Sequence, residues 1–197
     1  CSSVSQIGFI LTGIGMQGIL GKESAIAASG TILHMLNHSM FKLVLFLVAG
    51  VIVQNLHALD LNEIRGFGRK KPYLMLCYLC GALGIGGIPG WSGYISKTLL
   101  HEGIVEGIHH VHDSHMAALG LKCAEIVFLI SGGITCAYMI KLFVAVFVEK
   151  NATNEEKMRA SDKKYLSLPG KIAIGIPAVL LFVFGMFPHL FYDRFAA

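Results

Sequence analysis

Charged residues are scarce in this sequence. Sixteen basic and twelve acidic side chains make up 14% of the 197 residues, whereas a soluble domain carries about 25%. Hydrophobic residues account for 54% of the chain, and its mean hydropathy is +0.65. These values exclude an ordinary soluble domain and predict an integral membrane protein. The net charge of +4 is not gathered into a strongly basic region, so we expect no nucleic-acid partner.

Signatures of catalysis and of processing are also missing. The sequence contains no phosphate-binding loop, nucleophile elbow or redox-cofactor motif, so we expect no cofactor and no redox centre in this chain. Cys77 and Cys80 are spaced as CxxC, but their apolar context predicts two buried thiols in a membrane helix. The chain starts at Cys1 without a charged leader, which is not a signal peptide, and we expect a piece of a larger protein.

Long apolar runs separated by short polar loops dominate what is present. They predict an all-α polytopic membrane protein with about six transmembrane helices. One helix over 73–108 would be about 54 Å long, too long for one span, and its centre is rich in Gly and Pro. We therefore predict a discontinuity at Gly86–Gly90. The predicted spans are 4–20, 25–54, 73–87, 91–108, 117–148 and 172–191.

Six spans would distribute the loops between two sides of the membrane. One side would hold Lys22 and a charged loop over 149–171. The other side would hold the polar loop over 55–72 and the histidine-rich loop over 109–116. The positive-inside rule then predicts that the first side is cytoplasmic.

A polar set inside the second span is the most informative feature. His34, His38 and Lys42 are four residues apart, with Asn37 among them, and fall in a helical stripe about 80° wide. Ionisable residues inside a membrane helix cost roughly 2.5–3.5 kcal/mol each and are a functional hypothesis by default. Histidine titrates near neutral pH, and desolvation favours the neutral form of lysine. The stripe predicts a proton relay.

Two other interpretations of the stripe remain open. The polar side chains could form packing contacts with neighbouring helices. They could also bind haem, although two ligands for one haem must approach opposite faces of the ring. An i, i+4 pair on one helix does not give that arrangement.

Two more lysines are candidates for the same track. Lys97 follows the break, in a position where ion-coupled transporters with broken helices bind their substrates. A lysine extended toward the membrane interface is the alternative. Lys141 lies among apolar residues of the fifth predicted span, and we predict it as a further step. Glu125 of that span suits an interfacial position as well as a functional one.

Clustered histidines in the loop over 109–116 could bind a metal. Their spacing matches no closed site, and we predict none. The members of this group are His109, His110, His112, Asp113 and His115.

Three segments of the chain resemble a known family. They are SSVSQIG (2–8), HMLNHSMFKLVLFLVAG (34–50) and GFGRKKPYLMLCYLCGALGIGGIPGWSGYISK (66–97). An HxxxHxxxK pattern followed by a GIPxxxGxxSK segment is specific in combination. It resembles the proton-translocating, antiporter-like membrane subunits of respiratory complex I, of membrane-bound hydrogenases and of Mrp-type cation/proton antiporters.

The resemblance implies a fold of two inverted five-helix repeats, each with one discontinuous helix. It implies that 1–148 is the second repeat, that 149–171 is a charged loop and that 172–197 is an additional C-terminal transmembrane helix. It further implies that Lys42 is the central lysine, that His34 and His38 link it to its neighbours, and that Lys97 is the terminal lysine. Essential residues of the first repeat would lie outside this chain, so this piece alone should not pump.

The resemblance predicts a subunit that translocates protons, or sodium ions, in a redox-driven complex such as NADH:quinone oxidoreductase or a membrane-bound hydrogenase. A subunit of an Mrp-type antiporter is the alternative, and a non-pumping structural membrane anchor is the third possibility. Quinone, NADH and iron–sulfur or NiFe centres would belong to partner subunits. Expected partners are other membrane subunits, including paralogous antiporter-like ones, in a bacterial or archaeal plasma membrane.

Overall fold

A computed structural model describes residues 2–150 and 165–187, and within these ranges all regular structure is helical. A 3-10 turn (Gly21–Glu23) joins the first two helices, and a π-helical segment (Val144–Val148) continues the sixth. This architecture confirms the predicted all-α polytopic fold. The α-helices are α1 (Ser2–Leu20), α2 (Ala25–Leu56), α3 (Leu61–Ile64), α4 (Pro72–Gly86), α5 (Ser92–His110), α6 (His115–Phe143) and α7 (Leu168–Met186).

Four of the described helices are long and apolar enough to cross a membrane: α1, α2, α6 with its π segment, and α7. The apolar helix α4 is shorter, with 15 residues. Helix α2 is unbroken over 32 residues, which corresponds to about 48 Å. It exceeds a hydrocarbon core of about 30 Å and must tilt or protrude, as its predicted length implied.

Local sequence signals explain where several helices begin and end. His57 adopts a left-handed conformation (φ 54°) and ends α2 by donating its backbone N–H to the Val53 carbonyl. Asp60 caps α3 by accepting from the N–H of Asn62. Pro72 opens α4, where its missing N–H has no cost.

The two segments on either side of the predicted break form a single discontinuous crossing. They run antiparallel to α2, with α5 along its first half and α4 along its second half. The predicted break is therefore present. The six predicted spans, however, make five membrane crossings, because α4 and α5 together make one. The prediction of two spans over 73–108 was wrong because it relied on length alone. Helix α2, which lies beside this crossing, is also far longer than the membrane core. In order along α2, the contacts pair Ala27 with Gly103, His34 with Ser96, Asn37 with Ser92, Phe41 with Gly84 and Val44 with Gly81.

This single crossing corrects the predicted distribution of loops. The loops around 57–71 and after α6 lie at the same end of the bundle, because Gly66 donates its N–H to the Ala145 carbonyl at 2.9 Å. Arg65 and Glu149 form an ion pair at that end (Nε–Oε2 2.8 Å). At the opposite end, the turn after α1 meets the end of α5.

The last helix begins earlier than the predicted span 172–191. Ser167 caps it by accepting from the N–H of Gly170, and Pro169 occupies its first turn, so α7 starts at Leu168 inside the predicted loop. Its described part ends at Met186. Residues 151–164 of the predicted charged loop and residues 188–197 lie outside the described ranges.

Helix α2 lies at the centre of the packing and contacts α1, α4, α5 and α7. One buried cluster joins α2, α4, α6 and α7 and includes Phe41, Val44 and Leu74. A second cluster joins α1, α2, α5 and α6 and includes Phe9 and Phe128. The candidate site lies where the discontinuous crossing passes the polar stripe of α2.

Candidate functional site

His34 is the buried centre of the site. Its side chain is fully buried, and its two ring nitrogens contact groups on two other helices. Nε2 lies 3.1 Å from Oε1 of Gln6 on α1, and Nδ1 lies 3.0 Å from Oγ of Ser96 on α5. The stripe residue closest to the start of α2 therefore links three helices.

Because the Ser96 hydroxyl can either donate or accept a hydrogen bond, the His34 ring can be neutral or protonated in this site. In a neutral ring, Nε2 donates to Gln6, and Nδ1 accepts from the Ser96 hydroxyl. In a protonated ring both nitrogens donate, and the Ser96 hydroxyl can turn to the Gly93 carbonyl, which lies 3.2 Å away. Both protonation states have complete hydrogen bonds at the ring, which is the chemistry that a proton relay needs.

Lys97 lies beside this centre and closes the break between α4 and α5. Its Nζ donates to the carbonyl of Ile85 at 2.8 Å and lies 3.5 Å from that of Gly86. Carbonyls in the last turn of a helix lack intrahelical partners and form the negative end of the helix dipole. The ammonium also lies 5.1 Å from the centroid of the Phe9 ring.

The break has a glycine conformation that the sequence motif makes possible. Gly87 is left-handed (φ 75°), its N–H bonds to the Gly84 carbonyl, and the N–H of Ile88 bonds to the Leu83 carbonyl. These two bonds form a Schellman end. They leave the carbonyls of Ile85 and Gly86 to Lys97.

The remaining stripe residues continue along α2 away from His34. His38 is half-buried, and its Nε2 has no hydrogen-bond partner among the described residues. Lys42 is half-buried, donates to the hydroxyl of Ser2 on α1 and lies 5.5 Å from the centroid of Phe46. His34 and Lys42 are eight residues apart, which corresponds to about 12 Å along the helix.

A cavity of about 220 Å³ lies beside Lys42, between α2, α4 and α6. This volume is larger than the roughly 10–15 Å³ that a single water needs. Its walls are mainly apolar, with the Lys42 and Ser2 side chains among them. Because water in a cavity needs polar partners, any water here would have to bind at the Lys42 and Ser2 side of the cavity.

Lys141 does not join the other predicted residues. It lies in the last turn of α6 with an exposed side chain. Its neighbours Met139 and Leu142 line the cavity beside Lys42, whereas Lys141 is not among the lining residues.

Sequence reasoning missed the partners of the predicted residues. Gln6 and Ser96 complete the hydrogen bonds of His34, and Asn37 donates to the carbonyl of Ser92 at 3.0 Å. The sequence did contain a signal for these partners, because Gln6 is a polar residue in an apolar helix and Ser96 precedes Lys97. It did not show which helices pack against each other.

The histidine-rich segment is mostly helical. Helix α5 extends to His110 and α6 begins at His115, so the loop shrinks to 111–114. His112 contacts Asp113 at 3.1 Å, and His110 lies 3.9 Å from Glu23. Within the described ranges, no three His, Cys, Asp or Glu side chains gather as a metal site would require.

Comparisons with known proteins agree on one family. A family model described as "NADH:quinone oxidoreductase/Mrp antiporter, TM" matches residues 1–119. The chain is 29% identical over 196 residues to a Na(+)/H(+) antiporter subunit A1 of Staphylococcus haemolyticus, covering 96% of this chain and 24% of that protein. It is 30% identical over 187 residues to NADH-quinone oxidoreductase subunit M of Rickettsia felis, covering 95% and 33%.

Solved structures share the fold. A chain in the Mrp complex of Dietzia sp. DQ12-45-1b superposes with a TM-score of 0.71 at 16% identity, covering 99% of this chain and 46% of that chain. A chain of respiratory complex I from Thermus thermophilus gives a TM-score of 0.52 at 17% identity, with coverage of 98% and 44%. The chain spans about a quarter to a third of the length of the curated relatives that it matches.

Proposed function

Because the chain belongs to the NADH:quinone oxidoreductase/Mrp antiporter transmembrane family, we propose that it carries part of a proton-translocating unit in a redox-driven membrane complex. The contact that carries this proposal is the hydrogen bond between His34 and Ser96, the residue that precedes Lys97 on α5. It joins the discontinuous crossing to the polar stripe of α2. Residues 1–148 would form the second antiporter-like repeat, and 172–197 would belong to an additional helix after the charged loop.

In this proposal, protons move laterally through the bundle. Lys97 and Lys42 alternate between ammonium and amine, and His34 and His38 carry protons between them with the help of water. Like charges disfavour each other, so a proton arriving at one lysine favours release at the next. Lys141, which is exposed on α6, would be a later step at most.

The positive-inside rule supports an orientation for the bundle. The loops 57–71 and 149–150 and the start of α7 lie at one end and carry six of the described cations, whereas the turn after α1 at the other end carries Lys22. The end with the six cations would be cytoplasmic. The six cations are Arg65, Arg69, Lys70, Lys71, Lys150 and Lys171.

Redox chemistry would take place in other subunits of the assembly. NADH, quinone and iron–sulfur or NiFe centres would be bound there, and this chain would contribute the membrane path. Its partners would be other membrane subunits, including paralogous antiporter-like ones. The exposed apolar faces of α1 and α6 offer surface for such partners or for lipid.

A Mrp-type cation/proton antiporter subunit is the second candidate, favoured by the relative named as a Na(+)/H(+) antiporter subunit. Sequence identity does not separate the candidates, since the two relatives above match at 29% and 30%. Transport that requires an electron donor supports the first candidate. Transport driven by an imposed sodium gradient alone supports the second.

Substitution of the two lysines tests the proposal. Lys42→Ala or Lys97→Ala in the full-length protein should abolish coupled proton transport into membrane vesicles, measured with a pH-sensitive dye, without loss of complex assembly. Lys122→Ala, an exposed lysine on α6, is the matched control and should transport as wild type. Wild-type transport in both lysine variants would contradict the proposal and support a purely structural membrane anchor.

A further inference from the structure

A second polar pair lies in the half of the bundle between Lys97 and the 111–114 turn. His101 on α5 and Glu125 on α6 are joined by a contact of 2.8 Å between Nε2 and Oε1. Their side chains are 32% and 26% exposed, so the pair has access to surroundings that the buried His34 lacks. This pair is not part of the proposed path, which runs through Lys97, His34, His38 and Lys42.

The pair lies about two to three turns away from the 111–114 turn along both helices. His101 is nine residues before the end of α5, about 14 Å along the helix, and Glu125 is ten residues after the start of α6, about 15 Å. Because the turn at 111–114 joins these helices, the two values place the side chains at matching depth. Ionisable groups inside membrane-spanning helices are rare and commonly mark ion paths.

An aromatic pair separates His101 and Glu125 from the buried centre. The rings of Phe9 and Phe128 have centroids 4.6 Å apart, and both residues are less than 10% exposed. On one side, the Phe9 ring contacts the Lys97 ammonium and the His34 ring, at 5.1 and 5.9 Å. On the other side, the Phe128 ring lies 6.2 Å from His101. The aromatic pair is an apolar barrier between two polar stations.

We propose that His101 and Glu125 form a further proton-transfer site, which exchanges protons with Lys97 around the Phe9–Phe128 barrier and with the medium at the 111–114 end. Lys97 and His101 are four residues apart on α5, so their Cβ atoms lie on one face, about 5–6 Å apart. Rotation of the lysine side chain can bring its amine to the imidazole. This inference rests on the proposed function, because it extends the same path.

The proton balance of the step is simple. An N–H bond of the Lys97 ammonium breaks, and a bond to the His101 ring nitrogen or to the Glu125 carboxylate forms, leaving a neutral amine. The proton then passes to water at the partly exposed side of the pair and through further waters toward the 111–114 end, and the pair returns to its starting charge. No oxidant, reductant or metal takes part.

Helix α1 contributes no ionisable side chain near the pair over Ser2–Leu20. Helix α2 contributes His34. The two helices that carry the pair hold the other ionisable side chains of this half, which are Lys97, Glu102, Glu106, His109 and His110 on α5 and His115, Lys122 and Cys123 on α6.

Substitutions at Glu125 test the assignment in the full-length protein within its complex. Glu125→Gln keeps a side chain that can accept a hydrogen bond from His101 but cannot release a proton. It should lower proton transport by about 10²-fold, at the lower end of what a positioned proton-transfer group contributes. Glu125→Asp keeps a titratable carboxyl group and should restore part of that loss. Glu102→Gln, at an exposed position of α5, is the matched control and should transport as wild type.

Assembly of the complex, measured by native gel, separates this role from a structural clamp between α5 and α6. An assembled Glu125→Gln complex with wild-type transport would overturn the proposal. If Glu125→Gln does not assemble, His101→Gln provides the second test, and failure of both variants to assemble would assign the pair to packing.

Lys97→Ala is measured in parallel. Loss of transport in Lys97→Ala alone defeats this inference only, whereas transport in both variants defeats the proposed function.

Discussion

Gly87→Ala perturbs the break between α4 and α5 in two ways. Gly87 has a φ of 75°, where an L-residue costs about 1–2 kcal/mol. A Cβ atom there would also lie 2.8 Å from Cδ of Lys97, so the lysine side chain must shift, and we expect its hydrogen bond to the Ile85 carbonyl to weaken or break. A hydrogen bond from a charged group contributes about 1.5–3 kcal/mol. The two effects together predict that the free energy of unfolding falls by at least the backbone cost of about 1–2 kcal/mol and by up to about 5 kcal/mol if the hydrogen bond is lost completely.

Gly90→Ala provides a matched control three residues away. Gly90 also has a positive φ, 88°, but a Cβ added there would meet nothing within 4 Å. It carries only the backbone cost, about 1–2 kcal/mol. The difference between the two variants isolates the displacement of Lys97.

Thermal unfolding of the purified full-length protein and proton transport in vesicles would measure the two effects. Both variants should lower the Tm, and Gly87→Ala should lower it further. Transport should fall about tenfold or more in Gly87→Ala, since 1.4 kcal/mol at the transferring group corresponds to a factor of ten. Gly90→Ala should retain most transport. Equal transport in the two variants would refute the reasoning that the contact of Lys97 with α4 positions it for transfer.

Two further predictions concern the path of the chain and the aromatic barrier. A membrane-impermeant thiol reagent should label His112→Cys and Arg69→Cys from opposite sides of the membrane, because α4 and α5 make one crossing; labelling from the same side would restore six crossings. Phe128→Ala should increase passive proton leak, measured as the decay of an imposed pH gradient, whereas Phe128→Leu should keep the barrier closed. A leak unchanged in the alanine variant would show that this ring does not separate the polar stations.

Composition and pattern were sufficient to predict most of the helices. Scarce charge and long apolar runs predicted a polytopic membrane protein, and the Gly and Pro residues at 86–90 predicted the break. Segment length did not predict the number of crossings correctly. Helix α2 spans 32 residues without a break, and the discontinuous crossing beside it has a similar total length. Only the order of contacts along α2 distinguishes two spans from one discontinuous crossing.

The sequence predicted which ionisable residues belong to the candidate site, but it did not predict their hydrogen-bond partners. A stripe at i, i+4 spacing on one helix follows from helical geometry alone, and it identified His34, His38 and Lys42. The contacts of Gln6 and Ser96 with His34 depend on how three helices pack, which periodicity does not encode. Lys141 shows the converse, since an apolar sequence context did not predict its exposed side chain.

The position of the break suggests how Lys97 would exchange protons with two neighbours in the proposed path. A continuous helix would satisfy the carbonyls of Ile85 and Gly86 internally, and Lys97 would have no acceptor within the bundle. The Schellman end at Gly87 satisfies two carbonyls and leaves two for the ammonium, so the lysine is held at the centre by a contact that it can exchange. From that point, Ser96 leads to His34 and the stripe of α2, and the face of α5 leads to His101. In the proposed path, the break would make Lys97 a branch point. Loss of its acceptor should then disturb both directions, whereas loss of Glu125 should disturb only one.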